Sequence, residues 1–197
     1  MGASVFFYLA AFKVKIDKDG SLLKRRMMFV VLGTFALIAF GEEISWGQNI
    51  FKMQTPGFLK EINAQKEINI HNLKIFYYRD ENGEVKTGWR RALTEKSLFT
   101  YLWIFYCVVV PFLYNLFKPI RYQIEKVFIP VVPLWISLLF IIDYEVKKKI
   151  PHVRVLQCQN NVEEIFECVI AFLLMVAAWY FSRNSAGENN IHRGSSS

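Results

Sequence analysis

The chain has 197 residues, of which 53% are hydrophobic and 16% aromatic, with 18 Phe and a mean hydropathy of +0.22. Soluble domains run at roughly 45–50% apolar. Here the charges also sit in blocks between apolar runs, which excludes an ordinary soluble domain and points to a multi-pass membrane protein. The net charge of +7 is carried by Lys and Arg flanking apolar runs, as topology signals and headgroup contacts are, so nucleic acid is not an expected partner.

Residues 1–12 (MGASVFFYLAAF) lack a positive n-region, since Lys13 and Lys15 follow the apolar part, so no cleavable leader is expected. Twelve helical residues reach roughly 18 Å, short of the ~30 Å hydrocarbon core. Residues 13–26 form a basic loop. The first full span is expected over about 27–46, interrupted by Glu42 and Glu43. A polar extramembrane segment covers 52–96. Further spans are expected over 97–117, with Pro111 as a kink, over 127–143 after a short basic loop at 118–126, and over 163–181. The fold class is therefore all-α: a transmembrane helix bundle of about four full spans plus a short N-terminal apolar segment. A membrane domain of 1–184 is followed by a polar tail, 185–197, of disordered composition. Cys107, Cys158 and Cys168 form no CxxC pair. Cys107 and Cys168 fall in apolar runs and read as buried small hydrophobes.

Within 52–96, Thr55-Pro56 is a helix-start signal with Thr as cap. The following amphipathic turn lays Phe58, Leu59 and Ile62 on the membrane surface. Asn63, Gln65, Glu67, Asn69 and His71 then share one side at period two, the pattern of an extended stretch. Asn82-Gly83 signals a hairpin.

Spans alternate in direction, so Glu42, Glu43, Asp143, Glu145, Glu163, Glu164, Glu167 and the whole 52–96 segment share one side. Six of the 14 residues in 13–26 and three of the nine in 118–126 are Lys or Arg. Those dense short loops belong in the cytoplasm, which puts the carboxylates of a cell-membrane protein on the periplasmic or extracellular face. Met27–Gly41 gives roughly 22 Å and Cys168–Phe181 roughly 21 Å. Each reaches a normal span length only by taking its glutamates to the slab edge. Ionisable groups at that depth usually line a bundle interior or a watery cavity, so a carboxylate-rich polar pocket near one membrane face is expected.

Glu42 and Glu43 are the catalytic candidates, as general base or ligand. With no HExxH and no histidine triplet, a zinc hydrolase is not indicated. Glu43, His71, Glu164 and Glu167 form a candidate set for a divalent metal, and one histidine among carboxylates suits a harder cation than zinc. Ser45, Trp46, Gln48, Asn69 and Asn72 are candidate substrate contacts. Ser45 lies three residues after Glu42, on the same face if the helix continues.

The segments GEEISWGQ and NAQKEINIHN resemble a group of bacterial multi-pass membrane proteins that carry these strings, over roughly residues 41–73. The likeness implies a shared fold and supplies no activity. EEISWGQNI is also similar to the EExxxR helix of the CAAX-protease and bacteriocin-processing family. That likeness implies Glu42 or Glu43 as the group activating water. Gly47 stands where that family has its arginine, and its FxxxH and later histidine helices have no counterpart.

Three function classes follow. One is an intramembrane or interfacial enzyme acting on a lipid or membrane peptide. The second is a non-catalytic membrane subunit docking through 52–96, with a protein partner or a second copy. The third is a proton or cation channel component. The lipid bilayer is a partner in all three.

Overall fold

The computed structural model describes residues 1–14, 21–80, 82–149 and 159–185, with backbone only for Ser21 and 159–163. The Glu163 side chain, His152, His192, Cys158, residues 15–20 of the basic loop and tail residues 186–197 lie outside the described residues. Described residues are helical, with two isolated antiparallel bridges and no strand. Two compact units form, Leu37–Trp103 and the remainder, Met1–Ala36 with Ile104–Ser197.

In the larger unit, α1 (Gly2–Lys13) lies along α10 (Gln159–Asn184) and meets the middle of α2 (Ser21–Glu43) at Gly33 and Thr34. Ala10, Ala11, Ala177 and Ala178 are buried. Small residues let helix backbones approach closely. Phe181 stacks on Phe7 at 6.2 Å and meets Phe29 at 6.0 Å. Lys13 Nζ donates to the Ser182 carbonyl at 2.9 Å, and Ser4 Oγ donates to the Gly33 carbonyl at 2.9 Å. A Cβ on Gly33 would meet the Tyr8 ring at 3.1 Å and Phe7 Cβ at 3.3 Å. Gly33→Val is therefore expected to prise α1 from α2, costing about 1–3 kcal/mol by overpacking. Thermal unfolding in detergent checks it, and an unchanged midpoint would contradict this packing.

The helix expected over 97–117 runs as α6 (Glu95–Ile104), a π-helical stretch Phe105–Val109 and α7 (Val110–Leu116). The irregularity thus falls in the turn before Pro111, where the missing N–H takes away one helical hydrogen bond and the ring crowds the preceding turn. The stretch 118–126 is a helix, α8 (Lys118–Val127), rather than a loop. The span expected over 127–143 starts later and ends later, as α9 (Leu134–Lys149). Pro130 and Pro133 disfavour helix in the residues before them, and the Pro133 carbonyl accepts the first α9 bonds, from Ile136 and Ser137. Asp143 and Glu145 therefore lie inside α9. Cys107 is buried, but Cys168 is exposed.

Two helices among the described residues are long and apolar enough to cross a membrane, Glu95–Leu116 with 22 residues and Glu164–Asn184 with 21. A third counts if Leu22–Glu43 and Ser45–Phe51, bent by 66°, form one span. The expected four full spans thus become two or three. The 16 residues of α9 reach roughly 24 Å, short of the slab.

Candidate functional site

The smaller unit begins with the last turns of α2. The helix ends at Glu43 because three successive residues turn left-handed: Ser45 (φ 47°), Trp46 (φ 53°) and Gly47 (φ 77°). Gly tolerates that region, but Ser and Trp do so at a cost of about 1–3 kcal/mol each, so the turn must be held from outside. Trp46 folds back on Gly41, whose added Cβ would meet the indole at 2.8 Å. Its Nε1 donates to Glu42 Oε1 at 2.8 Å. Ser45 Oγ donates to Glu67 Oε2 at 2.7 Å and accepts from Asn69 Nδ2 at 2.9 Å. Ser45 is buried and left-handed, so it does not continue the Glu42 helix face as the sequence suggested.

After α3 (Gln48–Phe51) and α4 (Gly57–Ile62) the chain forms a closed loop. Its ends are zipped by Lys74 N to Ile62 O at 2.9 Å and Ala64 N to Asn72 O at 2.8 Å. Asn63, 1% exposed, sits inside. Its Oδ1 accepts the N–H of Gln65 at 2.9 Å and of Glu67 at 3.2 Å. Its Nδ2 donates to the Asn69 carbonyl at 2.9 Å and to Asn69 Oδ1 at 3.0 Å. An Asn side chain replacing backbone partners is what curls this stretch. The expected extended run at 63–71 is thus a compact loop. Several of its alternating polar residues still point inward.

Thr55 does not cap α4, whose N-cap is Pro56 with no side-chain bond. Its Oγ1 donates to the Lys66 carbonyl at 2.7 Å and accepts from Gln48 Nε2 at 2.7 Å. Gln48 Oε1 in turn accepts the Ile68 N–H at 2.7 Å. Beyond the loop, a hairpin closes around Gly83 (φ 80°), with Asp80 N bonded to Glu84 O at 2.9 Å, and the short α5 (Gly88–Ala92) follows. Beside it the Arg79 Nε–H, donating to Tyr78 Oη at 3.1 Å, holds that phenol below its ordinary pKa.

The two glutamates part company here. Glu42 accepts the backbone N–H groups of Ile70 and, at 3.0 Å, of His71, while His71 Nδ1 lies 3.6 Å from its Oε2. With Trp46 added, both oxygens of Glu42 are occupied in holding the loop and the turn. Glu43 is exposed and has no hydrogen-bond or ion-pair partner among the described residues. Its carboxylate opens on a cleft of about 510 Å³ lined also by Ser45, Asn49, Gln65, Glu67, His71 and Asn72, with Ile44 and Ile50 as apolar wall.

Of the candidate substrate contacts, Ser45 and Asn72 line this cleft. Gln48 and Asn69 are spent in the loop network and Trp46 on Glu42. Asn72 Nδ2 donates to Gln65 Oε1 at 3.1 Å. Glu67, Gln65 and Asn49 line the cleft without having been singled out. The signal for the first two was present, since both stand in the alternating polar row. Of the candidate metal set, Glu43 and His71 share the cleft, whereas Glu164 and Glu167 belong to the other unit, on the outside of α10. Among the described residues no three His, Cys, Asp or Glu side chains gather in a metal-binding geometry. Among the described residues the cleft is lined by two carboxylates, an imidazole, three amides and a hydroxyl, with no Lys or Arg. No protein-family model matches the chain, and comparisons with curated proteins and with solved structures give no match.

Proposed function

We propose that the chain is a multi-pass integral protein of the cell membrane, and that its cleft takes the polar head of an amphiphile, a lipid or membrane peptide, which Glu43 acts on as general base. The observation that carries this is the free Glu43 carboxylate, set in a cleft whose neighbouring polar groups are largely bonded to one another. A base must reach the proton it removes, and an unpartnered carboxylate can. The exposed Ile44 and Ile50 give an acyl chain or apolar side chain a path alongside. The density of Lys and Arg in 13–26 and 118–126 supports the periplasmic or exterior side for the cleft. The bacterial proteins that share GEEISWGQ would share this fold. The EExxxR likeness supplies less, because its string straddles the helix end at Glu43.

Mass spectrometry of membrane lipid extracts and membrane peptides incubated with the protein tests the enzyme. Glu43→Gln is expected to remove at least about 100-fold of any turnover, the usual size of a lost general base. Turnover equal in both proteins would exclude Glu43 from the chemistry. A second reading, a non-catalytic subunit, is favoured by the exposed Phe58, Ile62, Ile75 and Trp89 of the same unit. Stable co-purification of one partner, lost on Phe58→Ser or Trp89→Ser, would support it.

A further inference from the structure

Helix α8 begins where the candidate span Glu95–Leu116 ends. Phe117 (φ −120°, ψ 106°) breaks the helix, and Pro119 occupies the first turn. At about 100° per residue, Ile120, Ile124 and Val127 fall on one side, and Lys118, Tyr122 and Lys126 fall on the other. The joint with α7 is pinned. Arg121 Nε donates to the Tyr114 carbonyl at 3.1 Å, and its guanidinium lies 5.0 Å from the Tyr114 ring. The Tyr114 hydroxyl donates to Glu125 Oε1 at 2.8 Å. Arg121 and Glu125 are thereby spent on the joint. Lys118 and Lys126 are exposed, with no ion-pair partner among the described residues, and Tyr122 is exposed beside them. Ile120 and Ile124 are half-covered and Val127 is exposed.

We infer that α8 lies in the membrane plane and seats Lys118 and Lys126 on the headgroups of anionic lipids, with Ile120, Ile124 and Val127 at the acyl boundary. Three observations agree on this occupant. The helix follows directly on the end of a hydrocarbon-length stretch, so chain connectivity fixes its depth at the headgroups. Its faces divide apolar from basic, as interfacial helices do. Its two free charges are both positive, and basic groups beside a span meet anionic headgroups. Long lysine stems also reach the phosphates from the polar side. The inference rests on the membrane reading of the chain.

The test places single nitroxide labels at positions 118, 120, 122, 124, 126 and 127, and at Phe172 of α10, in a chain whose cysteines are replaced by alanine. The vesicles are phosphatidylcholine with and without phosphatidylglycerol. Labels at 120, 124, 127 and 172 are expected to be relaxed more by oxygen, and those at 118, 122 and 126 more by a water-soluble nickel chelate. In native mass spectrometry of the chain with its own cysteines, Lys118→Gln/Lys126→Gln is expected to lower retained phosphatidylglycerol at least about fivefold. If 120, 124 and 127 are reached by the chelate or by neither reagent while 172 is reached by oxygen, α8 is in water or against protein, and the inference is overturned. Equal phosphatidylglycerol in wild type and variant overturns the headgroup contact. A chelate-accessible 172 overturns the membrane reading itself.

Discussion

Glu42→Gln lowers the midpoint of thermal unfolding by about 6–12 °C, whereas Glu43→Gln leaves it unchanged. The first effect follows from three donors converging on one carboxylate, the N–H groups of Ile70 and His71 and the Trp46 indole. An amide keeps one acceptor oxygen and turns an NH2 toward a donor, so at least one of the three donors loses its partner and the others lose a charged acceptor. Hydrogen bonds to charged groups contribute about 1.5–3 kcal/mol each, and a net loss near 3 kcal/mol corresponds to this shift for a chain of this length. The loss is local in origin. Protease sensitivity should therefore rise first between residues 63 and 80. An unchanged midpoint in Glu42→Gln would mean that the loop does not hang on this side chain.

Asn63→Ala is the second large effect, about 3–4 kcal/mol. Asn63 is enclosed and makes four hydrogen bonds, to the N–H groups of Gln65 and Glu67 and to the carbonyl and side chain of Asn69. Truncation leaves two N–H groups and a carbonyl without partners in a space that alanine cannot fill. Each unsatisfied buried group costs about 1–3 kcal/mol, and coupling makes the total less than the sum. Hydrogen exchange reads it directly, because the Gln65 and Glu67 amides should lose protection together. Asn63→Asp keeps the acceptor but sets an enclosed carboxylate oxygen against the Asn69 carbonyl and Oδ1, so it should cost at least as much as alanine. Protection unchanged in Asn63→Ala would show that the backbone alone shapes the loop.

Much of the helical frame was legible because apolar runs and proline positions are local signals. The turn around Gly83 followed from residue type, whereas α10 begins at Gln159, ahead of the glutamates among which the sequence placed its start. The number of spans was not legible, because it depends on where helices stop. Pro130 and Pro133 push the start of α9 seven residues beyond Val127, and hydropathy averages over that delay. The basic stretch 118–126 read as a loop because its charges outweighed its i, i+4, i+7 apolar spacing.

At the site, the paired glutamates stood out as anomalous, and their different fates did not. Which of two adjacent carboxylates turns inward is decided at Ser45–Trp46–Gly47, where left-handed backbone rests on contacts to Gly41, Glu67 and Asn69. Such contacts span up to 24 residues, beyond the reach of any local pattern. The alternating row from Asn63 to His71 carried true information about inward-facing side chains. Its period suggested a strand, because a side-chain-wound loop has no periodic signature of its own.

If Glu43 is the free working carboxylate of a cleft for the polar head of an amphiphile, that amphiphile should leave with the carboxylate and not with the fold. Native mass spectrometry of protein released from its own membrane in mild detergent tests it most directly. Wild type, Glu43→Gln and Glu42→Gln are compared, with unfolding midpoints taken on the same samples. An amphiphile of defined mass is expected on the wild type, reduced at least about tenfold on Glu43→Gln at an unchanged midpoint, a difference of about 1.4 kcal/mol in binding. Equal occupancy of wild type and Glu43→Gln, or a midpoint that falls as far for Glu43→Gln as for Glu42→Gln, would contradict it.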